Sequence, residues 1–352
     1  MDLRNRLLKN SKLAVALEDS DIFTEQDFVS TNIPVLDIAL SGAIGMGLSR
    51  GLTIVAGPSK HFKSFLGMIA VCAYMKKYPE SVCMFYDSEY GTTPEYFAAV
   101  GIDPTRVIHT PIRTLEEFRE DLTNQLENIQ KGEKVIFFVD SLGNVASKKE
   151  VDDAISGKEA ADMTRAKVMK SITRIAMGYL NTKHLPMIAV GHTYDTMEMY
   201  SKKVLSGGSG IYYNANNIIF VGRRQNKKDG ELLGYDFVLN IEKSRFVKEG
   251  TQLPLKVTYK DGVFRYAGLL DVALDGGYVV KPKIGWYTRP CVTDDKSFRE
   301  NEVDTSKEFW EPIFKNTDFL EYVKTKFQTK TAIFKEGTEY GETSQEDTPD
   351  GN

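Results

Sequence analysis

The stretch GLTIVAGPSKHFKSFLGMIAVCAYM, residues 51–75, decides the fold. It begins with apolar, β-branched residues, passes through a short turn at residues 57–59, and becomes amphipathic from Lys63 and Ser64 onward. This order predicts a strand, a phosphate-binding loop and a helix. Such a loop binds anions because consecutive backbone N–H groups at a helix N-terminus face inward and the helix dipole favours negative charge.

The loop departs from the usual pattern at one position. The pattern G-x-x-x-x-G-K-[ST] has a second glycine where this chain has Phe62, so the short match alone is weak. The strand before it, the helix after it and the acidic residues at later strand ends favour a nucleotide site over a surface turn with a solvated lysine. In this pattern the lysine neutralises phosphates and the hydroxyl holds Mg²⁺. The candidate nucleotide ligands are Gly57, Pro58, Ser59, Lys60, His61, Phe62, Lys63 and Ser64.

Length and composition are typical of one large domain with smaller appendages. The chain has 352 residues, 41% of them apolar, which is enough for a core of roughly 200 to 250 residues. It has neither a run of 18 apolar residues nor the pattern of a signal peptide, so we expect a soluble, cytoplasmic protein with no membrane partner. Cys72, Cys83 and Cys291 lack metal-ligand spacing and are predicted to be reduced thiols.

Charge is unevenly distributed along the chain. Residues 336–352 carry six acidic residues and no basic one, and without them the net charge changes from −4 to +2. Composition therefore neither requires nor excludes a nucleic-acid partner. The acidic tail is predicted to be disordered, and it could serve solubility or regulation.

Strand and helix patterns alternate through the middle of the chain. Apolar residues three and four apart, as in residues 115–130, indicate helices that cover a sheet. The alternation predicts an α/β fold with a mostly parallel sheet, which binds its ligands at the carboxyl ends of the strands. Strands are predicted at 52–55, 82–87, 106–110, 134–140, 187–190, 218–221 and 237–241, and helices at 63–77, 115–130 and 163–183.

Further segments flank this core. Residues 2–18 predict a helix whose apolar stripe needs a docking surface, on its own domain or on a second copy. Beyond residue 261 the pattern changes to a smaller module with a last helix near residues 310–327. The predicted division is an N-terminal arm (1–28), a core (29–265), a C-terminal module (266–334) and the acidic tail (335–352).

Three side chains are predicted beside the phosphate loop, at or just after strand ends. Asp140 ends the strand VIFFVD and could hold Mg²⁺, directly or through water, or simply form a turn. Glu89 follows the strand that ends at Asp87, and it could orient the water that attacks a γ-phosphate or cap the next helix. His192 follows MIAVG and could contact a γ-phosphate or bind a backbone partner.

Two long polar segments, residues 143–162 and 193–213, leave the same edge of the sheet. Loops this long are usually functional, and their lysine, aromatic and methionine side chains suit contact with a nucleic-acid strand, although a solvated loop explains the same composition. Lys243 and Arg245 lie two apart at another strand end. They could stabilise charge on a nucleotide or lie on a solvated strand face.

The chain resembles the RecA family of strand-exchange recombinases in AGPSKHFKS, FYDSEYG, IHTPI, VDSLGNVASKKE, DMTRAK, GHTY and NIEKSR. The resemblance implies a RecA-like P-loop ATPase core with an N-terminal polymerisation arm and a small C-terminal module. It implies a DNA-dependent ATPase that uses ATP and Mg²⁺. Its partners would be single-stranded and double-stranded DNA, further copies in a helical filament, and recombination mediator and single-strand-binding proteins.

The resemblance also implies roles for single positions. Lys63 and Ser64 would bind the phosphates and Mg²⁺, Asp140 would be the Mg²⁺-associated carboxylate, and Glu89 would activate water. Tyr96 matches an aromatic residue that stacks on adenine. His192 matches a γ-phosphate sensor that is a glutamine in RecA.

Two further groups follow from the resemblance. Lys243 and Arg245 match a pair of lysines that reach the neighbouring protomer's ATP, which would make the active site composite. The two long segments match the DNA-binding loops of the family. The candidate DNA-binding residues are Lys148, Lys149, Arg165, Tyr194, Met197, Met199, Lys202, Lys203, Gly207 and Gly208.

Three other functions fit the same residues. A ring-forming RecA-like ATPase or helicase would share the fold but form a discrete oligomer. A P-loop kinase would transfer phosphate to a small molecule and ignore DNA. A nucleotide-sensing scaffold would not need the carboxylate of Glu89.

Overall fold

The computed structural model describes residues 2–24, 26–157, 164–196 and 203–329. Two short 3₁₀ helices, Leu17–Asp19 and Pro104–Arg106, add to the regular elements. The strands are β1 (Gly51–Ala56), β2 (Val82–Asp87), β3 (Val107–Pro111), β4 (Val135–Asp140), β5 (Pro186–Gly191), β6 (Thr193–Asp195), β7 (Lys203–Leu205), β8 (Asn217–Lys228), β9 (Glu231–Ser244), β10 (Gln252–Thr258), β11 (Gly262–Val263), β12 (Val280–Lys283), β13 (Trp286–Thr288) and β14 (Phe298–Arg299). The α-helices are α1 (Leu3–Asn10), α2 (Asp21–Thr24), α3 (Pro34–Ser41), α4 (Lys63–Lys77), α5 (Pro94–Val100), α6 (Leu115–Asn128), α7 (Lys148–Ile155), α8 (Thr164–Thr182), α9 (Ser209–Asn214), α10 (Leu269–Asp275), α11 (Glu300–Val303), α12 (Lys307–Lys315) and α13 (Thr317–Phe327).

Nine strands form the central sheet, in the order β11-β10-β9-β8-β1-β5-β4-β2-β3. The strands from β8 through β1, β5, β4 and β2 to β3 pair in parallel, whereas β9, β10 and β11 continue the sheet antiparallel. Parallel neighbours need long crossover connections, and here helices such as α4, α6 and α8 supply them. The predicted mostly parallel sheet is therefore confirmed.

The sheet is buried on both faces. In β4, Ile136 and Phe138 join one apolar cluster, while Phe137 and Val139 join the other. The first cluster includes residues of α3, α4 and the C-terminal module, and the second includes residues of α6 and α8. Successive side chains of a strand point to opposite faces, so a strand covered on both faces must be apolar throughout. Cys72 and Cys83 are free thiols buried in this core.

Several elements differ from their predicted bounds. The hairpin of β8 and β9 is longer than predicted. Phe220 of β8 lies level with Ala56, the last residue of β1, and the hairpin extends past this point. The N-terminal helix ends at Asn10, because Ser11 is extended. The predicted last helix is two helices, since Asn316 is extended and its side chain caps α13. No helix within the described ranges has the length and apolar character of a membrane span.

The C-terminal module combines the three-stranded sheet β12-β13-β14 with helices α10 to α13. Trp310 lies at its centre with no exposed surface, and its indole N–H donates to the Val303 carbonyl at 2.8 Å. Its ring stacks on Tyr266 at 6.1 Å and Phe314 at 5.7 Å between centroids. This tryptophan therefore joins the module to the segment that follows β11.

We expect Trp310→Ala to lower the free energy of unfolding by about 3–5 kcal/mol, because it opens a cavity and leaves the Val303 carbonyl without its donor. Chemical denaturation measures this loss. Ile284→Ala is the control, since Ile284 is 92% exposed, and its effect should stay within about 0.5 kcal/mol. Equal losses in the two variants would contradict this view of the module's core.

Candidate nucleotide site

The phosphate loop, residues 57–62, joins β1 to α4 at the carboxyl edge of the sheet. Lys63 is the first residue of α4 and is only 7% exposed, and its Nζ donates to the Pro58 carbonyl at 2.9 Å. The pKa of Lys63 is lowered because burial disfavours the ammonium, although Glu89 and Asp140 act in the opposite direction. A buried cation at a helix N-terminus, where the dipole is also positive, makes a strong anion site.

Asp140, at the end of β4, lies beside the start of α4. Its Oδ2 accepts from the Thr92 hydroxyl at 3.3 Å, and the Ser64 hydroxyl lies close enough to act against the rise in its pKa. Oδ1 is buried and has no hydrogen-bond partner. Burial raises the pKa of Asp140 to about 6, and the charges of Glu89 and Asp87 add to this effect.

Ser64 and Asp140 fit a Mg²⁺ ion that is bound together with nucleotide phosphates. A buried carboxylate oxygen without a partner is costly, and a divalent cation would satisfy it. Mg²⁺ is commonly held by one or two protein oxygens plus phosphates and water. The described parts of the chain contain no cluster of three or more His, Cys, Asp or Glu side chains that could hold a metal ion by themselves.

Glu89 lies next to Asp140 and is held by two donors. Its Oε1 accepts from the Ser141 hydroxyl at 2.7 Å and contacts His192 Nε2 at 3.1 Å. Burial alone would raise the pKa of Glu89, but these hydrogen bonds and the charge of Lys63 hold it below its usual range. Glu89 is therefore an ionised carboxylate at neutral pH, close enough to Lys63 to interact with its charge.

Asp87 positions the backbone that carries Glu89. Its Oδ1 accepts from the N–H groups of Glu89 at 3.0 Å and Tyr90 at 2.8 Å. Helix α5 begins only at Pro94. Asp87 thus caps a turn and not helix α5. The Glu89 side chain caps neither, because it contacts Ser141 and His192.

His192 lies between Glu89 and the second long segment. It follows β5, and its carbonyl accepts from Ser206 N–H at 2.8 Å, close to the end of β7. The short strands β6 and β7 pair antiparallel, so the segment after His192 returns to it. A change in the position of His192 would therefore act on both Glu89 and this segment.

Other predicted site residues are distributed around this centre. Tyr96 is 56% exposed in the first turn of α5. Lys243 and Arg245 lie toward the opposite edge of the sheet, where the parallel strands begin. Arg245 N–H donates to Asn216, whose own N–H donates to Leu52 near the start of β1, so Arg245 is roughly 16 Å along the strand direction from its own phosphate loop.

Lys243 is bound to backbone oxygen in the protomer. Its Nζ donates to the carbonyls of Tyr212 at 2.7 Å and Tyr213 at 2.9 Å, in α9. Burial and the charge of Arg245 lower the pKa of Lys243. The structure thus does not bring Lys243 or Arg245 to the nucleotide loop of the same protomer.

The predicted DNA-binding residues are only partly grouped. Lys148 and Lys149 begin α7, and Lys149 pairs with Asp153. Arg165 donates to the carbonyls of residues 142, 143 and 145, so its guanidinium braces the base of the first segment. Its role at DNA stays a prediction.

The second segment contributes the remaining candidates. Tyr194 is 56% exposed in β6, and Lys203 in β7 pairs with Asp195 at 3.4 Å. Gly207 and Gly208 have φ of +108° and +88°, the second just before α9, and such angles favour glycine. Met197, Met199 and Lys202 lie outside the described residues.

Sequence reasoning missed several residues of this site. Ser141 and Thr92 contact the two carboxylates, and Gly143 leaves room for His192, because a Cβ on Gly143 would lie 2.4 Å from the His192 ring. Arg223 of β8 donates to the Lys60 carbonyl at 2.7 Å. The sequence offers a signal for Ser141, because its hydroxyl comes directly after Asp140 at the end of a strand. The other contacts join segments that are far apart in the chain, so the sequence gives no sign of them.

Comparison with known proteins places the chain in a family. Residues 9–265 match the model of the RecA N-terminal domain, and residues 266–323 match that of the C-terminal domain of the bacteriophage T4 recombination and repair protein. The chain therefore belongs to the RecA family of recombinases. It is 49% identical over 337 residues to the recombination and repair protein of Enterobacteria phage T4, across 93% of this chain and 86% of that protein.

Two bacterial RecA proteins also match the chain, at lower identity. Protein RecA of Kineococcus radiotolerans is 25% identical over 261 residues, 73% of either chain. Protein RecA of an Arthrobacter strain is 25% identical over 265 residues. The crystal structure of the RadB recombinase superposes with a TM-score of 0.49 at 19% identity, over 67% of this chain and 98% of that one.

We expect Gly143→Ala to displace His192 and so to raise the pKa of Glu89, because the carboxylate loses one of its two side-chain donors. A carbon-13 NMR titration of the Glu89 carboxyl measures the change. Any reaction that needs this group ionised would then lose rate at a higher pH than in the wild type. Gly178→Ala is the matched control, since nothing lies within 4 Å of its added Cβ. An unchanged Glu89 titration in Gly143→Ala would refute the contact.

Proposed function

We propose that the chain is an ATP-dependent DNA recombinase that forms a filament on single-stranded DNA. In this filament it pairs that strand with homologous duplex DNA and exchanges strands, in recombination, repair and recombination-dependent replication. The contact of Glu89 with both Ser141 and His192, beside the phosphate loop, carries the proposal. It links the group suited to activating water with the segment suited to binding DNA.

Each residue of the site has a defined task in ATP hydrolysis. The N–H groups at the start of α4 and the Lys63 ammonium bind the phosphates, so Lys63 exchanges the Pro58 carbonyl for phosphate oxygens. Ser64 and Asp140 would hold Mg²⁺, which neutralises phosphate charge when bound. Glu89 orients the attacking water and takes its proton, and because both side-chain contacts fall on Oε1, Oε2 is available for that water. The exposed Tyr96 offers a ring for adenine.

DNA would reach the two long segments at the same edge of the sheet. The side chains of Lys148, Tyr194 and Lys203 offer cations and an aromatic surface there, and such combinations bind single strands with little sequence preference. The hairpin of β8 and β9 adds Arg223, Arg224, Lys227 and Lys228 beyond this edge. The protein would act in the cytoplasm of its host cell if it is phage-encoded, with mediator and single-strand-binding proteins as further partners.

We expect single-stranded DNA at low salt to stimulate ATP hydrolysis strongly, because DNA bound to the segment that begins at His192 would act on Glu89 through the contact between these two residues. The measurement is the hydrolysis rate with and without DNA, and Lys63→Ala should abolish it. Turnover that ignores DNA but requires a small-molecule acceptor would contradict the proposal and favour a kinase. Rings of fixed size in electron micrographs, instead of filaments of varied length, would favour a ring ATPase.

The positions of Lys243 and Arg245 support an active site shared between protomers. Both cations lie away from the nucleotide loop of their own chain, toward the opposite edge of the sheet. In a head-to-tail filament the opposite edge of one protomer can face the nucleotide of the next. Lys243 would then leave the α9 carbonyls for the neighbour's phosphates.

We expect Lys243→Ala to bind ATP but to hydrolyse it poorly in the filament. Mixing it with Lys63→Ala should restore activity, because a Lys243→Ala protomer has an intact loop and a Lys63→Ala neighbour supplies an intact Lys243. Random mixing at a 1:1 ratio should give about a quarter of the wild-type rate, since about a quarter of head-to-tail interfaces combine both intact halves. A mixture as inactive as its components would refute the shared site.

A further inference from the structure

The phosphate loop has an unusual backbone at Phe62. This residue has φ of +62° and ψ of +16°, in the left-handed region, and it directly precedes α4. Glycine adopts this conformation readily, whereas a residue with a side chain is strained there. Something in the fold must therefore hold Phe62 in place.

The ring of Phe62 crosses from the loop to the sheet. Its centroid lies 4.4 Å from that of Phe65, in the first turn of α4, and 5.1 Å from that of Phe237 in β9. The ring planes of Phe62 and Phe237 are 20° apart. Phe237 is only 2% exposed. The ring thus stacks on a fixed residue of a strand that is two positions away from β1 in the sheet.

The same hairpin holds the rest of the loop. Lys60 has φ of +60°, and its carbonyl accepts the hydrogen bond from Arg223 at 2.7 Å. The Arg223 guanidinium lies 4.5 Å from the ring centroid of Tyr235. On Gly57, a Cβ would lie 2.9 Å from the Val221 carbonyl, so the loop begins in close contact with β8.

We propose that Phe62 is a positioning residue for the nucleotide. The Phe62 ring holds the phosphate loop in place by stacking on Phe237. The second glycine of the usual loop makes the left-handed turn by conformational freedom. Here stacking between rings fixes the same turn and with it the direction in which Lys63 and the first N–H groups of α4 point. This inference rests on the proposed nucleotide site and adds a residue to its machinery.

Four variants separate the ring from the backbone. Phe62→Gly removes the ring and relieves the strain, Phe62→Leu removes the ring and keeps the strain, and Phe62→Tyr keeps both. Phe237→Leu removes the partner ring alone. If the left-handed turn were all that the site needs, Phe62→Gly would bind nucleotide at least as tightly as the wild type.

We expect Phe62→Gly to bind a non-hydrolysable ATP analogue with Mg²⁺ about three- to tenfold more weakly, the range that one aromatic pair supports. Phe62→Leu should lose at least as much, and Phe62→Tyr should bind like the wild type. Calorimetric titration without DNA measures each dissociation constant. At saturating ATP the turnover number should change less than KM, since the loop binds the phosphates before and during reaction.

A double variant tests the contact itself. Adding Phe62→Gly to Phe237→Leu should weaken binding little beyond the larger single loss, because both changes break one stack. Phe314→Leu, which thins an aromatic stack in the C-terminal module, is the control: it should lower the melting temperature without changing the dissociation constant.

Two results would overturn the inference while leaving the proposed function intact: wild-type affinity in Phe62→Gly, or additive losses in the double variant. Absence of nucleotide binding by the wild-type protein would instead overturn both.

Discussion

Parallel pairing of the central strands is the constraint on which the rest of the molecule depends. Asp87 of β2 lies level with Asp140 of β4, and Ala56 of β1 lies level with Gly191 of β5. Parallel strands end at one edge, so these pairings bring together a loop and side chains that are far apart in the chain. Without this register Lys63, Glu89 and His192 would not meet.

Electrostatic strain at that edge prepares the site for a ligand. Lys63 is buried at a helix N-terminus, where its charge adds to that of the dipole, while Asp140 is buried with like charges nearby. Neither group is fully satisfied by the other, because Lys63 binds a carbonyl and Asp140 keeps one oxygen without a partner. Phosphate would stabilise the first, and a divalent cation the second. The fold thus carries an energetic cost that an ATP–Mg²⁺ complex would relieve.

The sequence predicts well those features that repeat or lie close together in the chain. Apolar runs located β2 and β4, and helical spacing located α4 and α6, because a doubly covered sheet permits few other patterns. The positions of Asp140 and Glu89 beside the loop followed from their place at strand ends.

The remaining features depend on contacts between distant segments. The outer half of the β8–β9 hairpin is rich in charge, as a loop would be, and only its pairing with a second strand makes it regular structure. The hydrogen bonds of Glu89 to Ser141 and His192 join three segments. In the sequence Phe62 only departs from the usual phosphate-loop pattern, which has glycine there. The role proposed for its ring depends on the position of Phe237, which is far away in the chain.

Strand β9 both contacts the phosphate loop and carries Lys243. Phe237, under the phosphate loop, and Lys243, toward the opposite edge, lie on it roughly 20 Å apart. Over this length β9 is paired with β8, and up to Asn240 with β10 as well. Up to Asn240 the strand is held on both sides, so a shift of the loop that moved Phe237 would be carried along this part of β9. The pairing with β8 is irregular at Glu242, just before Lys243. In a filament whose protomers share active sites, β9 would run from the protomer's own phosphate loop toward Lys243, the cation proposed to reach the nucleotide of the neighbouring protomer. Strand β9 thus links the ring contact that holds the phosphate loop with the residue proposed for the shared site.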